Sequence, residues 1–230
     1  MRSSTWHALG NVYLLVEQAE LTADDVRASV GEADGIVQIV SSDRDSAEVV
    51  IWNPDGSTAE MSGNGTRIAA RWLAERTGAQ VVRIRVRTRE IVARLVDDED
   101  VEQDMGPVLV GPPERVAGVE LVTVSVGNPH AVVRGDPDEI GRLGPLLETH
   151  ERFPDRTNVQ VVRVERPGEV SARVWERGVG ETSASGTSAV AVAAATHRDG
   201  DEVIVHFPGG DLRVRLGGGR AILIGPAERI

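Results

Sequence analysis

Two glycine-rich segments combine small polar residues in a way that could bind an anion. Residues 62–65 read Ser-Gly-Asn-Gly and run into a segment whose apolar residues repeat at helical spacing. Glycines directly before a helix leave backbone N–H groups unpaired and convergent, and these groups suit a carboxylate or a phosphate. A second segment, residues 176–195, passes in the same way from Ser185-Gly186 into an alanine-rich stretch. One such helix start is often only a turn, so the repetition is the stronger sign of a site.

The similarity extends outward along both halves of the chain. Ser62 and Ser185 lie 123 positions apart, and this alignment pairs Gly63 with Gly186. Three further matches have nearly the same spacing: Gly10-Asn11 with Gly127-Asn128, Val37–Val40 with Val159–Val162, and Arg94-Leu95 with Arg215-Leu216. A spacing that stays nearly constant predicts a duplicated module. Two halves that each supply a helix N-terminus predict one site in the cleft between them.

The asparagines are few and lie in similar surroundings. All five occur in turn-like or glycine-flanked motifs: Asn11, Asn53, Asn64, Asn128 and Asn158. Asparagine favours turns, which accounts for some of these positions. The alternative is that the chain keeps asparagine where an amide must hydrogen-bond a ligand. Both interpretations stay open on the residues alone.

Composition narrows what the site can hold. The net charge of −11 over 230 residues argues against nucleic acid or an anionic membrane as partner. All 25 basic residues are arginine, so a Schiff base to pyridoxal phosphate and a Walker-type phosphate loop, which both need lysine, are excluded. Cysteine is absent, and the five histidines show no metal-ligand spacing. If the chain is an enzyme, we therefore expect it to use neither a metal nor a covalent cofactor. No leader or long apolar segment is found, so we expect a cytoplasmic protein.

The pattern of elements predicts an α+β fold of two pseudo-symmetric halves, each a mixed or antiparallel sheet around a central helix. We expect the N-terminal half to span residues 1–110 and to be completed by residues 218–230, and the C-terminal half to span 114–217. The proline- and glycine-rich segment Met105–Pro113 is predicted to link them. A helix is predicted at Thr22–Val30 with Thr22 as N-cap, and a turn at Gly127–His130. Arginines alternate with apolar residues at 81–87, which predicts a solvated sheet face rather than a nucleic-acid surface.

Six separated pieces of the chain resemble, in order, the motifs of the diaminopimelate epimerase family: HALGN, ADGIV, WNPDGSTAEMSGNGTR, VGNPHAVV, RTNVQVV and WERGVGETSASGTSAVA. They are spread along the chain from His7 to Ala191. The resemblance implies that family's two-halved fold, with the N-termini of the central helices facing a cleft. It also implies cofactor-independent inversion of LL- to meso-diaminopimelate, a step of lysine and peptidoglycan synthesis.

The chemistry explains why such a site needs two similar halves. An α-proton beside a carboxylate is weakly acidic, so its removal requires stabilisation of the negative charge that develops. The amides around Gly63–Asn64 and Gly186–Thr187 can supply this stabilisation. Inversion then needs a base on one face of the carbon and an acid on the other. In the family these groups are two cysteines, whose thiols ionise with a pKa of about 8.5.

This chain departs from the family at both positions, where Ser62 and Ser185 replace the cysteines. His130 and Glu176 match the residues that partner the two thiols in the family. One interpretation is an engineered double Cys→Ser form that has largely lost turnover. The other is a natural divergent member that uses the two serines, or His130 directly. Ser188, in place of the usual glycine, favours the natural form.

The resemblance also assigns substrate-binding residues by position. Asn11, Asn53, Asn128 and Asn158, with Glu176 and Arg177, match family residues that hold the two ends of the substrate. A guanidinium fits a carboxylate bidentately, so Arg177 is the predicted clamp for the distal carboxylate; a surface ion pair is its alternative role. Val12, in place of an acidic residue, leaves the substrate open. Two rival functions remain: a binder without turnover, and an isomerase of a smaller amino acid such as hydroxyproline. A homodimer is possible.

Overall fold

The computed structural model describes residues 2–17 and 20–230, and the chain divides into two compact units. The first unit runs from the start of the chain to Asp104 and includes Ile224–Ile230, and the second spans Met105–Leu223. Among the residues that the structure describes, no helix is long and apolar enough to cross a membrane.

The helices and strands follow in chain order. The first nine are β1 (Arg2–Ala8), β2 (Asn11–Glu17), α1 (Ala23–Ser29), β3 (Gly35–Ser42), β4 (Ser46–Trp52), α2 (Gly63–Thr77), β5 (Val81–Val86), β6 (Arg89–Leu95) and β7 (Asp100–Pro107). They continue with β8 (Leu109–Val116), β9 (Val119–Ser125), β10 (Pro129–Arg134), a 3₁₀ turn (Pro137–Glu139), α3 (Ile140–Glu148), β11 (Asn158–Arg166) and β12 (Glu169–Glu176). The last are β13 (Gly180–Thr182), α4 (Gly186–Thr196), β14 (Glu202–Phe207), β15 (Gly210–Gly217), β16 (Arg220–Pro226) and β17 (Glu228–Arg229).

The first unit wraps a mixed sheet around α2. Strand β2 pairs in parallel with β3, β3 antiparallel with β4, β4 in parallel with β5, and β5 antiparallel with β6. Every residue of α2 from Gly63 to Ala74 is buried, and Ile68 and Leu73 pack in one core with strand residues such as Ile84. Burial of such side chains stabilises by about 1.5–3 kcal/mol each, so packing holds this helix in place.

The second unit repeats this order of pairing around α4. Strand β10 pairs in parallel with β11, β11 antiparallel with β12, β12 in parallel with β14, and β14 antiparallel with β15. Residues Gly186–Ala193 of α4 are buried. Helix α3 buries Ile140, Leu143 and Leu147 in a separate core that includes Val159 of β11 and is contacted by Trp175. The predicted α+β class with a central helix in each half is confirmed.

Two local predictions are confirmed by the hydrogen bonds and burial of the first unit. Thr22 caps α1 in a capping box, since its side chain accepts from the backbone N–H of Asp25 and the Asp25 carboxylate accepts from the backbone N–H of Thr22. In β5 Val82, Ile84 and Val86 are buried, and Arg83 and Arg85 are exposed. Arg83 pairs with Asp45 at 2.9 Å, so this face is solvated and laced with surface ion pairs.

The segment Met105–Pro113, predicted to link the halves, begins directly after the boundary between the two units, but it is mostly strand rather than an irregular linker. These residues form the end of β7 and the start of β8, which pairs antiparallel with β9. The register shifts between Val110 and Pro113, and such a bulge tolerates prolines because no ladder hydrogen bond is needed there. The predicted turn at Gly127–His130 is too long, since Pro129 and His130 already belong to β10 and proline occupies its first residue.

Candidate active site

Ser62 is the N-cap of the central helix of the first unit. Its backbone is extended, with φ −138° and ψ 116°, and its Oγ accepts a hydrogen bond from the backbone N–H of Gly65 at 3.1 Å. The Ser62 carbonyl accepts from the backbone N–H of Thr66 at 3.0 Å, which starts the helical ladder. Gly65 has no room for a side chain, because a Cβ there would lie 2.9 Å from Ile51 Cδ1. The Ser-Gly-Asn-Gly segment is therefore a packed helix start.

A buried arginine stands one turn behind this helix start. Arg67 donates from Nη2 to Asn64 Oδ1 at 2.8 Å, from Nη1 to the Gly63 carbonyl at 3.0 Å, and from Nε to the Pro226 carbonyl at 3.1 Å. Burial lowers the pKa of Arg67 to about 10, so the side chain stays charged at neutral pH. Asn64 is thus fixed by a cation that also adds to the positive end of the helix dipole.

Asn11 and Asn53 are engaged in the turns that carry them. Asn11 is buried and donates from Nδ2 to the carbonyls of Ala8 and Leu9, each at 3.3 Å, in the β1–β2 hairpin turn. Asn53 donates from Nδ2 to Ser57 Oγ at 2.9 Å. For both residues the turn-forming role is observed directly, and a ligand-binding role stays a prediction.

Ser185 begins the central helix of the second unit without capping it. The residue is buried with extended backbone, and its side chain makes no capping hydrogen bond. The hydroxyl instead donates to Glu176 Oε2 at 3.5 Å, and the other Glu176 oxygen accepts from Thr182 Oγ1 at 2.8 Å. The Ser185 contact exceeds the usual length of about 2.5–3.0 Å for an O–H···O bond, and such bonds often tighten when a ligand binds. A carboxylate thus faces the Ser185 hydroxyl at the start of α4.

A closed ring of hydrogen bonds ties β10 and β11 to the first turn of α4. Asn128 Nδ2 donates to Thr187 Oγ1 at 3.3 Å, and its Oδ1 is 2.9 Å from His130 Nε2. His130 Nδ1 is 3.0 Å from Gln160 Nε2, which also donates to Ser188 Oγ at 3.0 Å. An amide oxygen only accepts and an amide nitrogen only donates, so His130 carries its proton on Nε2. The series of hydrogen bonds begins at Thr187 and ends at Ser188, and these adjacent residues of α4 close the ring.

His130 is held neutral in this ring. Burial is the main cause that lowers the pKa of His130 to about 3, and the charge of Arg177 adds to it, while the contact with Gln160 opposes it. Both imidazole nitrogens of His130 have hydrogen-bond partners, and the Nε2 contact orients the Asn128 amide. A catalytic role for His130 stays a prediction.

Asn158 holds the residue predicted to clamp the substrate. Its Oδ1 accepts from the backbone N–H of Arg177 at 3.0 Å, and its Nδ2 donates to the Pro129 carbonyl at 2.8 Å. The Arg177 guanidinium donates from Nη1 to the Asp155 carbonyl at 3.3 Å. The structure thus brings Asn158 and Arg177 together, Ser185 and Glu176 together, and Asn128, His130 and Thr187 together.

The sequence analysis missed several buried polar residues near these groups, among them Arg67, Gln160 and Glu148. Gln160 matches Gln38 in the repeat, and that match was a usable signal. Arg67 and Glu148 carry no local signal, because charged residues at helical positions usually face water. Across residues 2–17 and 20–230, no group of three or more histidine, aspartate or glutamate side chains is arranged to hold a metal ion.

Comparison with known proteins gives a consistent result. The profile of the family described as diaminopimelate epimerase matches residues 4–110 and 122–230. A diaminopimelate epimerase of Pelotomaculum thermopropionicum is 38% identical in an alignment that covers 97% of this chain and 95% of the relative. One of Desulforudis audaxviator is 39% identical in an alignment that covers 100% of this chain and 97% of the relative. A solved structure of a predicted epimerase from Pseudomonas aeruginosa has a TM-score of 0.81 at 17% identity, covering 100% of this chain and 96% of that one, and shows the same fold.

Proposed function

Because the chain belongs to the diaminopimelate epimerase family, we propose that it is an isomerase that inverts one α-carbon of diaminopimelate between the LL and meso forms. The observation that carries the proposal is the contact of Ser185 with Glu176 at the start of α4. Ser62 occupies the same place at the start of α2. Each half of the chain thus offers a hydroxyl beside a helix N-terminus.

The helix starts supply the electrostatic part of the reaction. The first N–H groups of a helix have no intrahelical acceptor, and the helix dipole adds a partial positive charge there. In our proposal the amides of Gly63 and Asn64, with those of Gly186 and Thr187, bind the carboxylate next to the reacting carbon. They stabilise the negative charge that develops when the α-proton leaves, and one such donor contributes on the order of 3 kcal/mol in acyl-transfer enzymes. The buried charge of Arg67 strengthens the first set.

The two hydroxyls are arranged for opposite roles. Ser185 donates to the Glu176 carboxylate, so Glu176 can take the Ser185 proton while Ser185 Oγ takes the α-proton. Ser62 Oγ accepts from the Gly65 amide, which leaves the Ser62 proton available for the opposite face of the carbon. One proton leaves the substrate and one arrives, and the roles exchange in the reverse reaction. In our proposal His130 acts by orienting the Asn128 amide, which its Nε2 contacts.

The distal amino-acid end of the substrate is assigned to the Asn158–Arg177 pair. The Asn158 amide holds the Arg177 backbone, which sets the origin of the guanidinium. A planar guanidinium accepts a carboxylate in two parallel hydrogen bonds, and this geometry favours a substrate with a second carboxylate. Asn11, Asn53, Asn64 and Asn128 complete the proposed binding residues. Cytoplasmic location and a homodimer stay predictions.

Proton exchange with solvent tests the proposal. The chain is incubated with LL- or meso-diaminopimelate in D₂O, and the products are separated by chiral chromatography and weighed by mass spectrometry. We expect each inverted molecule to carry one deuterium at the inverted carbon. Glu176→Gln should slow inversion by about 100-fold or more, in line with the contribution of general acid–base groups. Glu181→Gln, a matched change on the neighbouring strand β13, should not.

A binder without turnover is the second candidate. It is favoured by the Ser62 hydroxyl, which already serves as a helix N-cap, a role that serine fills without any acid–base chemistry. Binding of diaminopimelate in calorimetry with no deuterium incorporation would establish this second function and exclude the first.

A further inference from the structure

Glu148 is a buried carboxylate that the reaction as proposed does not use. It is the last residue of α3, and its side chain is 8% exposed. Its Oε2 accepts from the Trp175 indole Nε1 at 2.7 Å, and its Oε1 accepts from the backbone N–H of Gly178 at 2.7 Å. Oε1 also pairs with Arg156 Nη1 at 3.4 Å. Burial of an unpaired carboxylate is costly in free energy, and the three donors offset this cost. The arrangement indicates that the Glu148 carboxylate has a structural role.

Two of the three donors, Trp175 and Gly178, flank the proposed catalytic segment. Trp175 directly precedes Glu176, and Gly178 directly follows Arg177. One carboxylate therefore holds the two ends of a segment whose middle residues face the substrate in our proposal. Gly178 has φ +78°, a left-handed conformation that turns the chain there.

The indole that Glu148 binds is itself fixed by packing. Trp175 packs against the core that contains Leu143 and Leu147 of α3. It lies so close to Gly144 that a Cβ there would be 2.6 Å from Trp175 Cγ. The helix thus provides both a surface for the ring and, at its end, an acceptor for the ring N–H. This arrangement leaves the start of the segment little freedom.

We propose that Glu148 is a positioning residue that sets the placement of Glu176 and Arg177; this inference rests on the proposed function. The Ser185–Glu176 contact is already at the long limit of a hydrogen bond, so a small displacement of Glu176 breaks it. A misplacement of about 1 Å can cost on the order of 100-fold in rate. Both carboxylate oxygens are needed, because the Trp175 indole and the Gly178 amide bind different oxygens and glutamine at position 148 would offer only one acceptor oxygen.

The test compares Glu148→Gln with Glu151→Gln, the same change at an exposed position three residues along. Nuclear magnetic resonance follows the Trp175 indole N–H and the hydrogen exchange of the Gly178 amide, and steady-state assays give kcat and KM for diaminopimelate. We expect E148Q to move the indole signal, to speed Gly178 exchange by about tenfold or more, and to lower kcat/KM by about tenfold or more. E151Q should match the wild type. Unchanged Gly178 exchange, or faster exchange with unchanged kcat/KM, would overturn the proposal.

Two measures keep the test decisive. If E148Q does not fold, Trp175→Phe removes the indole donor while keeping an aromatic ring at this position, and it should produce the same changes at smaller size. An unaltered Gly178 amide and kcat/KM in W175F would overturn the proposal. If the wild type binds diaminopimelate without exchanging its α-proton, the proposed function fails. The dissociation constant then replaces kcat/KM, and a tenfold weaker binding by E148Q still supports Glu148 as the positioning residue.

Discussion

The Ser185 hydroxyl donates to the Glu176 carboxylate across 3.5 Å at the first residue before α4. The corresponding hydroxyl of Ser62 has the opposite relation to its surroundings, since it accepts from the Gly65 amide. The two halves therefore share a fold and a helix start but differ in the direction of the hydrogen bond that the serine makes. This difference suits a Ser185 hydroxyl that transfers its proton to Glu176 and a Ser62 hydroxyl that donates its proton to the substrate in our proposal.

Replacement of both serines by cysteine should raise the rate of inversion. A thiol with a pKa of about 8.5 forms the reactive anion far more readily than a hydroxyl does. We expect Ser62→Cys/Ser185→Cys to raise kcat for LL-to-meso inversion by about 100-fold or more, and each single change to raise it less. The assay is chiral separation of the two isomers over time. A double variant no faster than the wild type would contradict the placement of the two residues.

Removal of the Arg177 side chain should weaken binding of the substrate. Hydrogen bonds to charged groups contribute about 1.5–3 kcal/mol, which corresponds to a KM for diaminopimelate raised by about 10- to 100-fold in Arg177→Ala. Arg177→Lys should fall between, because an ammonium cannot bind a carboxylate bidentately. Arg152→Ala is the matched control, since that arginine is exposed and pairs with Glu114.

The same variants separate the substrate classes. An isomerase of a small monocarboxylic amino acid such as hydroxyproline has no distal carboxylate for Arg177 to hold. If R177A kept the wild-type KM for diaminopimelate, or if hydroxyproline were inverted as fast by R177A as by the wild type, the diaminopimelate assignment would be wrong.

The ring around His130 should make the fold sensitive to acid. The pKa of His130 is lowered to about 3 by burial, whereas an unfolded histidine has a pKa near 6.5. Below about pH 6.5 the unfolded chain binds a proton that the folded chain rejects, so stability is fully present above that pH and falls as the pH drops toward the folded value. The contribution is at most about 1.4 kcal/mol per pH unit.

Chemical denaturation at several pH values measures this effect. His130→Gln lacks the titrating group, so the difference in unfolding free energy between wild type and variant should shrink as the pH falls from about 7 to about 4.5. A difference that is constant over this range would contradict a buried neutral imidazole.

Much of the fold could be predicted because its helices and strands follow from patterns of neighbouring residues in the sequence. The alternation at residues 81–87, the capping Thr22 and the Ser-Gly helix starts each depend on near neighbours in the chain. The strands in Met105–Pro113 were not predicted, because proline and glycine are usual in linkers. Part of this segment forms a bulged strand through its pairing with β9. That pairing is a tertiary property.

The candidate site was predictable in part for the same reason. Ser62, Ser185 and Glu176 lie in glycine-rich motifs that can be read from the sequence, and the structure brings Glu176 to Ser185. The buried residues that hold these side chains in place could not be predicted from the sequence. Glu148 and Gln160 act through partners 27 to 30 residues away in sequence, and their polar character alone predicts exposure. The neutrality of His130 likewise follows from burial that only the folded chain provides.

Isotope exchange by two single variants tests the central claim, that Ser62 and Ser185 serve opposite faces of one carbon, most directly. Ser62→Ala and Ser185→Ala are each incubated in D₂O with LL- and with meso-diaminopimelate, and deuterium at the α-carbon is measured by mass spectrometry. We predict that the wild type exchanges both isomers, that both variants lose inversion, and that each variant keeps exchange with one isomer, the two variants keeping opposite ones. Inversion that survives in either variant, or variants that retain exchange with the same isomer, would contradict the account.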